Sequence, residues 1–329
     1  MSLLELHDLQ MAFPIGGRGG RERRAVDGVS LAIEEHETLG LVGESGCGKS
    51  TLARCIVGLN KPTGGQISFD GRDLASLSRR ELHDVRREVT MVFQDPFASL
   101  NPRRRVRDIV AAPLDVHGMA KGAERSRRVD EMLERVGLEP AHASRFPHEF
   151  SGGQRQRIGL ARALITQPRL LICDEPVSGL DVSVQAQILN LLTRLQDELD
   201  LTLLFIAHDL GVVRHVSQRI AVMYLGRVVE GAEADELFAH PRHPYTEALV
   251  AAVPVPDPRA RPTDEDIIAG DVPGGILAPG GCRFHPRCPR ADAVCHRDDP
   301  RLEPLGPEDH VAACHHPLGE AVAAGAERA

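Results

Sequence analysis

The sequence predicts an α/β fold: a mostly parallel sheet core, a flanking antiparallel β region, an inserted helical subdomain and a small cysteine-containing C-terminal extension. Three observations predict it. A short apolar run, Thr38 to Val42, enters a glycine-rich loop followed by a helical pattern. Two further apolar runs, Arg169 to Cys173 and Thr202 to Ala207, flank another helical pattern, as a parallel crossover requires. Four of the seven cysteines crowd together near the end of the chain.

At 329 residues the chain is longer than one typical domain, so one large domain plus an appendage is expected. Hydrophobic residues make up 42% and charged residues 26%, an ordinary globular balance. Thirty-nine Lys and Arg against 47 Asp and Glu leave a net charge of −8, which disfavours nucleic acid as a main partner. No run approaches the roughly 20 apolar residues of a membrane span. Residues Met1 to Gln10 lack the basic start and long apolar stretch of a signal peptide, so the chain reads as cytoplasmic.

Taken in order, Leu3 to Leu9 and Gln66 to Phe69 are β-rich, and Asp70-Gly71 is a turn signal, which together give the antiparallel region. Gly16 to Arg24 reads as a basic, glycine-rich loop. Thr38 to Val42 is a buried strand, and Thr51 to Val57 is the helix behind it. From about Asp95 to Leu164 the chain is Arg-rich with helical periodicity, and Val129, Met132, Leu133 and Val136 mark an apolar stripe. Between the later apolar strands, Ile188, Leu191, Leu192, Leu195 and Leu199 recur at helical spacing. After Val253 the composition shifts to Pro, Gly, Asp and Arg, which places a boundary near Val253 to Arg261. The expected division is 1–253 (helical subdomain about 95–164), an extension over 254–318, and a frayed tail over 319–329.

Gly43-Glu44-Ser45-Gly46-Cys47-Gly48-Lys49-Ser50 fits G-x-x-x-x-G-K-S/T in the strand-to-helix setting that the phosphate loop demands, with Thr51 continuing into the helix. Its glycines let successive N–H groups face phosphates, and the helix N-terminus adds positive potential. Lys49 is placed for the β and γ phosphates, and Ser50 offers a hydroxyl to Mg²⁺. Asp174 ends an apolar strand and can hold the same ion. Glu175 follows it, as a base that orients and deprotonates the attacking water. Alone, Asp174-Glu175 reads equally as a solvated acidic pair. Ser151-Gly152-Gly153-Gln154 precedes a helix with Ile158, Ala161, Leu164 and Ile165 on one face, and Ser151 with Gln154 satisfies a capping box. His208, directly after a strand, reads equally as a strand-end histidine.

In this order, the phosphate loop, Gln94, Ser151 to Gln154, Asp174-Glu175, Ser178-Gly179-Leu180-Asp181 and His208 resemble the ATP-binding cassette family over roughly Leu3 to Val250. The resemblance implies a P-loop nucleotide-binding domain with a RecA-like parallel core that binds and hydrolyses ATP with Mg²⁺. It implies a head-to-tail dimer, homomeric or with a sister cassette, in which the Ser151 segment of one subunit closes over ATP held by the other's loop. Gln94 would follow Mg²⁺ and water, His208 would hold the γ-phosphate, and Asp181 would link the two sites. Phe13 resembles the aromatic that stacks on adenine, where the family more often has Tyr.

Cys282, Cys288, Cys295 and Cys314 lie in a Pro- and Gly-rich segment too small for its own core, which calls for a staple. Four thiolates at this spacing suit an iron–sulfur cluster or zinc, and free packing thiols are the third reading. His285, His296, His315 and His316 are rival ligands, whereas Cys47, Cys55 and Cys173 read as small buried residues. With His243-Pro244-Tyr245, the segment is similar to the C-terminal extension of oligopeptide and dipeptide importer ATPases, a group that includes nickel importers. That resemblance favours a [4Fe-4S] cluster over Zn²⁺. It implies two membrane-spanning permease subunits, an external solute-binding protein, and a peripheral place on the cytoplasmic face of the cell membrane. A soluble cassette ATPase would normally carry a coiled-coil insertion or a second cassette, and neither is visible.

Overall fold

The computed structural model describes residues 2–15, 21–95, 99–253, 280–305 and 310–319. Two long strands open the chain, β1 (Ser2–Ile15) and β2 (Arg21–Glu34), paired antiparallel with Leu6 opposite Leu31 and Phe13 opposite Arg23. β1 therefore runs past the expected Leu9. The loop expected over Gly16 to Arg24 is corrected at its second half, where residues 21–24 belong to β2; residues 16–20 lie outside the described residues. Next come β3 (Thr38–Val42), α1 (Lys49–Ile56), β4 (Gly64–Phe69) and β5 (Arg72–Asp73). Asp70 and Gly71 both take positive φ, 52° and 70°, in the tight turn between β4 and β5. β4 pairs with the free side of β1, which gives a four-stranded antiparallel sheet in the order β2-β1-β4-β5.

Then α2 (Arg79–Glu88) leads into β6 (Val89–Val92). The Arg-rich stretch is helical: α3 (Val106–Val110), α4 (Ala112–Val116), α5 (Gly122–Arg135), two 3₁₀ turns at Pro140–Ser144 and Pro147–Glu149, and α6 (Gly152–Leu164). Val129, Met132, Leu133 and Val136 are all buried, as their spacing predicts. The chain continues through β7 (Leu170–Asp174), α7 (Val182–Leu199), β8 (Thr202–Ala207), α8 (Leu210–Val216), β9 (Arg219–Tyr224) and β10 (Arg227–Glu233). α9 (Ala234–Ala239) and α10 (Pro244–Ala251) follow.

The second sheet has eight strands in the order β11-β12-β10-β9-β3-β8-β7-β6, with β11 (Glu303–Pro304) and β12 (Val311–Ala312) supplied by the extension. β6, β7, β8, β3 and β9 run parallel, and β10 returns antiparallel. Burial on both faces explains why these strands read as unbroken apolar runs. In β8, Leu204 and Ile206 enter the core shared with the antiparallel sheet and α1, while Leu203, Phe205 and Ala207 enter the core beneath α7 and the helical subdomain. β3 lies between β8 and β9, so its C-terminal end delivers the phosphate loop at the middle of the sheet.

The extension docks on this frame. Between its 3₁₀ turn (His285–Arg287) and β11 it forms α11 (Ala293–Arg297). Glu230 of β10, fully buried, accepts hydrogen bonds from the N–H groups of Arg242 (2.6 Å) and His243 (2.8 Å) and lies 2.7 Å from His310 Nε2. The boundary expected near Val253 to Arg261 falls beyond residue 253 outside the described residues, as does the tail after Gly319. Among the described residues, no helix is long and apolar enough to cross a membrane.

Candidate active site

The loop between β3 and α1 is shaped by three glycines at positive φ, two of which leave no room for a side chain. Gly43 has φ 151°, and a Cβ there would lie 2.1 Å from the Met223 carbonyl oxygen. Gly48 has φ 114°, and its Cβ would meet the Ala25 carbonyl oxygen at the same distance. Gly46, at φ 80°, faces open space instead, on the side where a ligand is received. A cleft of about 430 Å³ opens there, lined by Phe13, Ile15, Arg23, Ala25, Ser45, Gly46, Gly48, Lys49, Ser50, Thr51, Gln94 and Glu175.

Lys49 is 4% exposed, and its Nζ donates to the carbonyls of Gly43 (2.6 Å) and Glu44 (3.1 Å). A buried ammonium held by two carbonyls is a cation poised beside the cleft with its desolvation already offset. Ser50 Oγ donates to Asp174 Oδ1 at 2.9 Å, so two hard oxygen ligands already stand together. That donor set suits Mg²⁺. Burial pushes the Asp174 carboxyl above the usual carboxylate range, partly opposed by the Ser50 hydrogen bond; a divalent cation there would favour the ionised form.

Glu175 sits one residue past β7 with φ 48°, a left-handed conformation that costs a non-glycine residue about 1 kcal/mol or more. Its N–H donates to the Ile206 carbonyl of β8 at 2.9 Å, which pins the turn. The carboxylate accepts from Gln94 Nε2 at 2.7 Å and lies 3.6 Å from His208 Nδ1. Gln94 and Glu175 thus meet at the cleft wall, with His208 beside Glu175 but, like Gly43 and Asp174, outside the cleft lining. His208 is largely exposed, Glu175 only slightly so.

Not every expected residue faces the cleft. The Cys47 side chain is buried behind the loop, and the Glu44 carboxylate turns away toward the extension. Ser151, Gly152, Gly153, Gln154 and Asp181 are absent from the lining. The Ser151 capping box is formed, with Gln154 N–H donating to Ser151 Oγ at 3.3 Å and Ser151 N–H to Gln154 Oε1 at 3.1 Å. Asp181 caps α7 by accepting from Val184 N–H at 3.0 Å. Close packing between the two caps requires Gly153, where a Cβ would lie 2.5 Å from Val184 Cγ1. Sequence reasoning missed Ile15, Arg23 and Ala25, which reach the cleft because β1 and β2 are longer than their apolar patterns. It also gave no role at this site to Tyr245, whose hydroxyl accepts the Glu44 N–H of the phosphate loop at 2.9 Å.

The four thiols of the extension are drawn into one neighbourhood. Cys282 N–H donates to the Cys295 carbonyl at 2.8 Å, and burial, reinforced by repulsion from the neighbouring cysteine thiolates when ionised, pushes Cys314 up to about 11. Among the described residues, the trio of metal-competent atoms found within 4.8 Å of one another is Asp292, Cys295 and His316. His315 instead contacts the Asp298 carbonyl, and the rings of His285 and His296 lie against each other at 4.3 Å.

The family model described as ABC transporter matches residues 26–178, and that described as oligopeptide/dipeptide transporter, C-terminal region matches residues 229–295. The oligopeptide transport ATP-binding protein AppF of Bacillus subtilis is 52% identical over 95% of this chain and 97% of its own length. The chain is an ATPase cassette of the ABC transporter family. The OppF proteins of Salmonella typhimurium and Escherichia coli, also named oligopeptide transport ATP-binding proteins, are each 49% identical to this cassette over 95% of both chains. Among solved structures, CbiO1 of Clostridium perfringens superposes with TM-score 0.63 at 31% identity, over 72% of the cassette and 91% of CbiO1. The ATP-binding cassette MJ0796, solved as a post-hydrolysis dimer with ADP and Pi, matches with the same TM-score at 32% identity, over 70% of this chain and 98% of its own. The cassette's β3 loop, Ser151 cap and Asp174-Glu175 pair are thus found on the fold their order implied.

Proposed function

We propose that this cassette drives the uptake of dipeptides or oligopeptides from the cytoplasmic face of the cell membrane, as one of two ATPase subunits joined to two permease subunits and served by an external binding protein. The observation that carries the reading is likeness over 95% of the chain to oligopeptide transport ATP-binding proteins, running through the extension as well as the cassette.

The chemistry follows from the cleft. Loop N–H groups and Lys49 receive the triphosphate, and Ser50 with Asp174 holds Mg²⁺. Phe13, 38% exposed at the rim, offers a face to adenine. Glu175 takes the proton of the attacking water, Gln94 keeps its carboxylate in place, and His208 meets the γ-phosphate. The Ser151 cap and Asp181, turned away from this cleft, suit a second subunit's nucleotide, which supports a head-to-tail dimer with two shared sites.

The extension's four cysteines are soft thiolate donors of the kind that hold iron–sulfur clusters or zinc, and its Pro- and Gly-rich composition calls for such a staple. Cys282, Cys288, Cys295 and Cys314 would hold a [4Fe-4S] cluster, which would staple the segment.

Co-purification from membranes, followed by reconstitution in vesicles with the binding protein, tests the assignment. ATP-dependent accumulation of a labelled tripeptide is expected. Uptake of Ni²⁺ but no peptide would point to the nickel-importing machinery. Recovery of the chain with no membrane partner would favour a soluble cassette ATPase. Anaerobically purified protein should carry iron and sulfide with brown absorbance, and stoichiometric zinc in colourless protein would overturn the cluster.

A further inference from the structure

Glu44 stands at one of the positions in the phosphate-loop pattern where any residue serves, and an acid there is electrostatically wrong: its charge sits beside the cradle that must receive a polyphosphate. The structure supplies the answer from the far end of the chain. Arg287, in the turn between Cys282 and Cys288, donates from Nη1 to Glu44 Oε2 at 2.8 Å and from Nη2 to Oε1 at 2.9 Å. This is a bidentate fork, and the Arg287 side chain is only 6% exposed. The guanidinium also lies over the Tyr224 ring, 5.9 Å from its centre. Glu44 is meanwhile held at every polar group: N–H by the Tyr245 hydroxyl, carbonyl by Lys49, carboxylate by Arg287.

We propose that Arg287 is a positioning residue of the nucleotide site, which cancels the Glu44 charge and fixes the loop from outside the cassette core. Nucleotide affinity thereby depends on the order of the Cys282 to Cys288 turn. The inference rests on the reading that this loop binds ATP. Arg287 touches no phosphate and acts only through Glu44. Because Cys288 is its immediate neighbour, whatever orders that cysteine also orders the fork.

The test uses the full-length protein and a fluorescent ATP analogue (mant-ATP) with Mg²⁺. Arg287→Ala is expected to weaken binding about tenfold, the scale of one lost charge-assisted contact, and the deficit should shrink as salt is raised. Arg287→Ala combined with Glu44→Gln should recover to within about threefold of wild type, since the repelling charge is gone. Cys288→Ala should weaken binding in the wild-type background and add nothing to Arg287→Ala. His310→Gln loosens the same extension at the Glu230 contact and touches no part of the loop, so it should leave affinity unchanged.

Wild-type affinity in Arg287→Ala would overturn the proposal, and so would a double variant as weak as the single. Equal weakening by His310→Gln would assign the effect to docking in general and also overturn it. A further Cys288→Ala loss in the Arg287→Ala background would sever the link to the thiols. If Lys49→Ala bound mant-ATP as well as wild type, the nucleotide assignment itself would fall, and the role of Arg287 with it.

Discussion

Replacing Glu175 with Gln isolates the base from everything around it. The carboxylate accepts one strong hydrogen bond, from Gln94 Nε2 at 2.7 Å, and the amide oxygen of Gln can accept the same bond. The backbone turn, with φ 48° and its N–H bonded to Ile206, does not depend on the side-chain charge. The variant should therefore keep its fold and its nucleotide cleft. It loses the proton acceptor, and general-base catalysis is worth about a hundredfold to ten-thousandfold, or roughly 3–5 kcal/mol of barrier. Nucleotide affinity should hold or rise slightly, because a negative charge leaves the neighbourhood of the γ-phosphate. Phosphate release by the assembled transporter at saturating MgATP, paired with mant-ATP binding, reads both quantities. Turnover within about tenfold of native, with binding intact, would refute the assignment of Glu175 as base.

Ser151→Ala should cost about 1 kcal/mol of stability by removing the helix cap, yet reduce ATP turnover far more than that loss explains, because the proposed head-to-tail dimer sets the cap against a second subunit's nucleotide; equal turnover would deny that role. Glu230→Ala leaves His310 and two backbone N–H groups without their buried partner and should destabilise the protein by about 3–5 kcal/mol, measured by denaturant unfolding. Burial, which disfavours its cation, pushes His243 down to about 4, against 6.5 for the free imidazole. The unfolded chain thus takes up this proton first, so stability is whole above about pH 6.5 and falls by up to about 3 kcal/mol on acidification toward pH 4. Thermal melts of His243→Gln should show a shallower decline over that window.

The parts of this molecule that were legible in its sequence are those where one physical demand dominates. β3, β7 and β8 are buried on both faces, so nothing interrupts their apolar runs. The loop glycines at 43 and 48 are fixed by collisions with carbonyl oxygens, and the Ser151 cap by its reciprocal hydrogen bonds. β2 was harder to read. Its Glu22, Arg23 and Arg24 are all exposed, so no apolar alternation marks this end of the strand and in one dimension it looks like a basic loop. β11 and β12 are two residues long, too short for any alternation to show. The partners of Arg287 and Tyr245 lie far away along the chain, and nothing in the spacing says which of 47 carboxylates or which loop amide they meet.

The position of β3 also bears on how the chain is made. Its neighbours in the sheet join Thr38 to Leu203 on one side and Leu39 to Arg219 on the other. As the polypeptide leaves the ribosome, the nucleotide cradle emerges early and must wait, unflanked, for most of the remaining synthesis before either edge is zipped. Such distant pairing makes for slow folding with sticky strands on show. A nascent cassette stalled before β9 would present an open β3 edge to other chains.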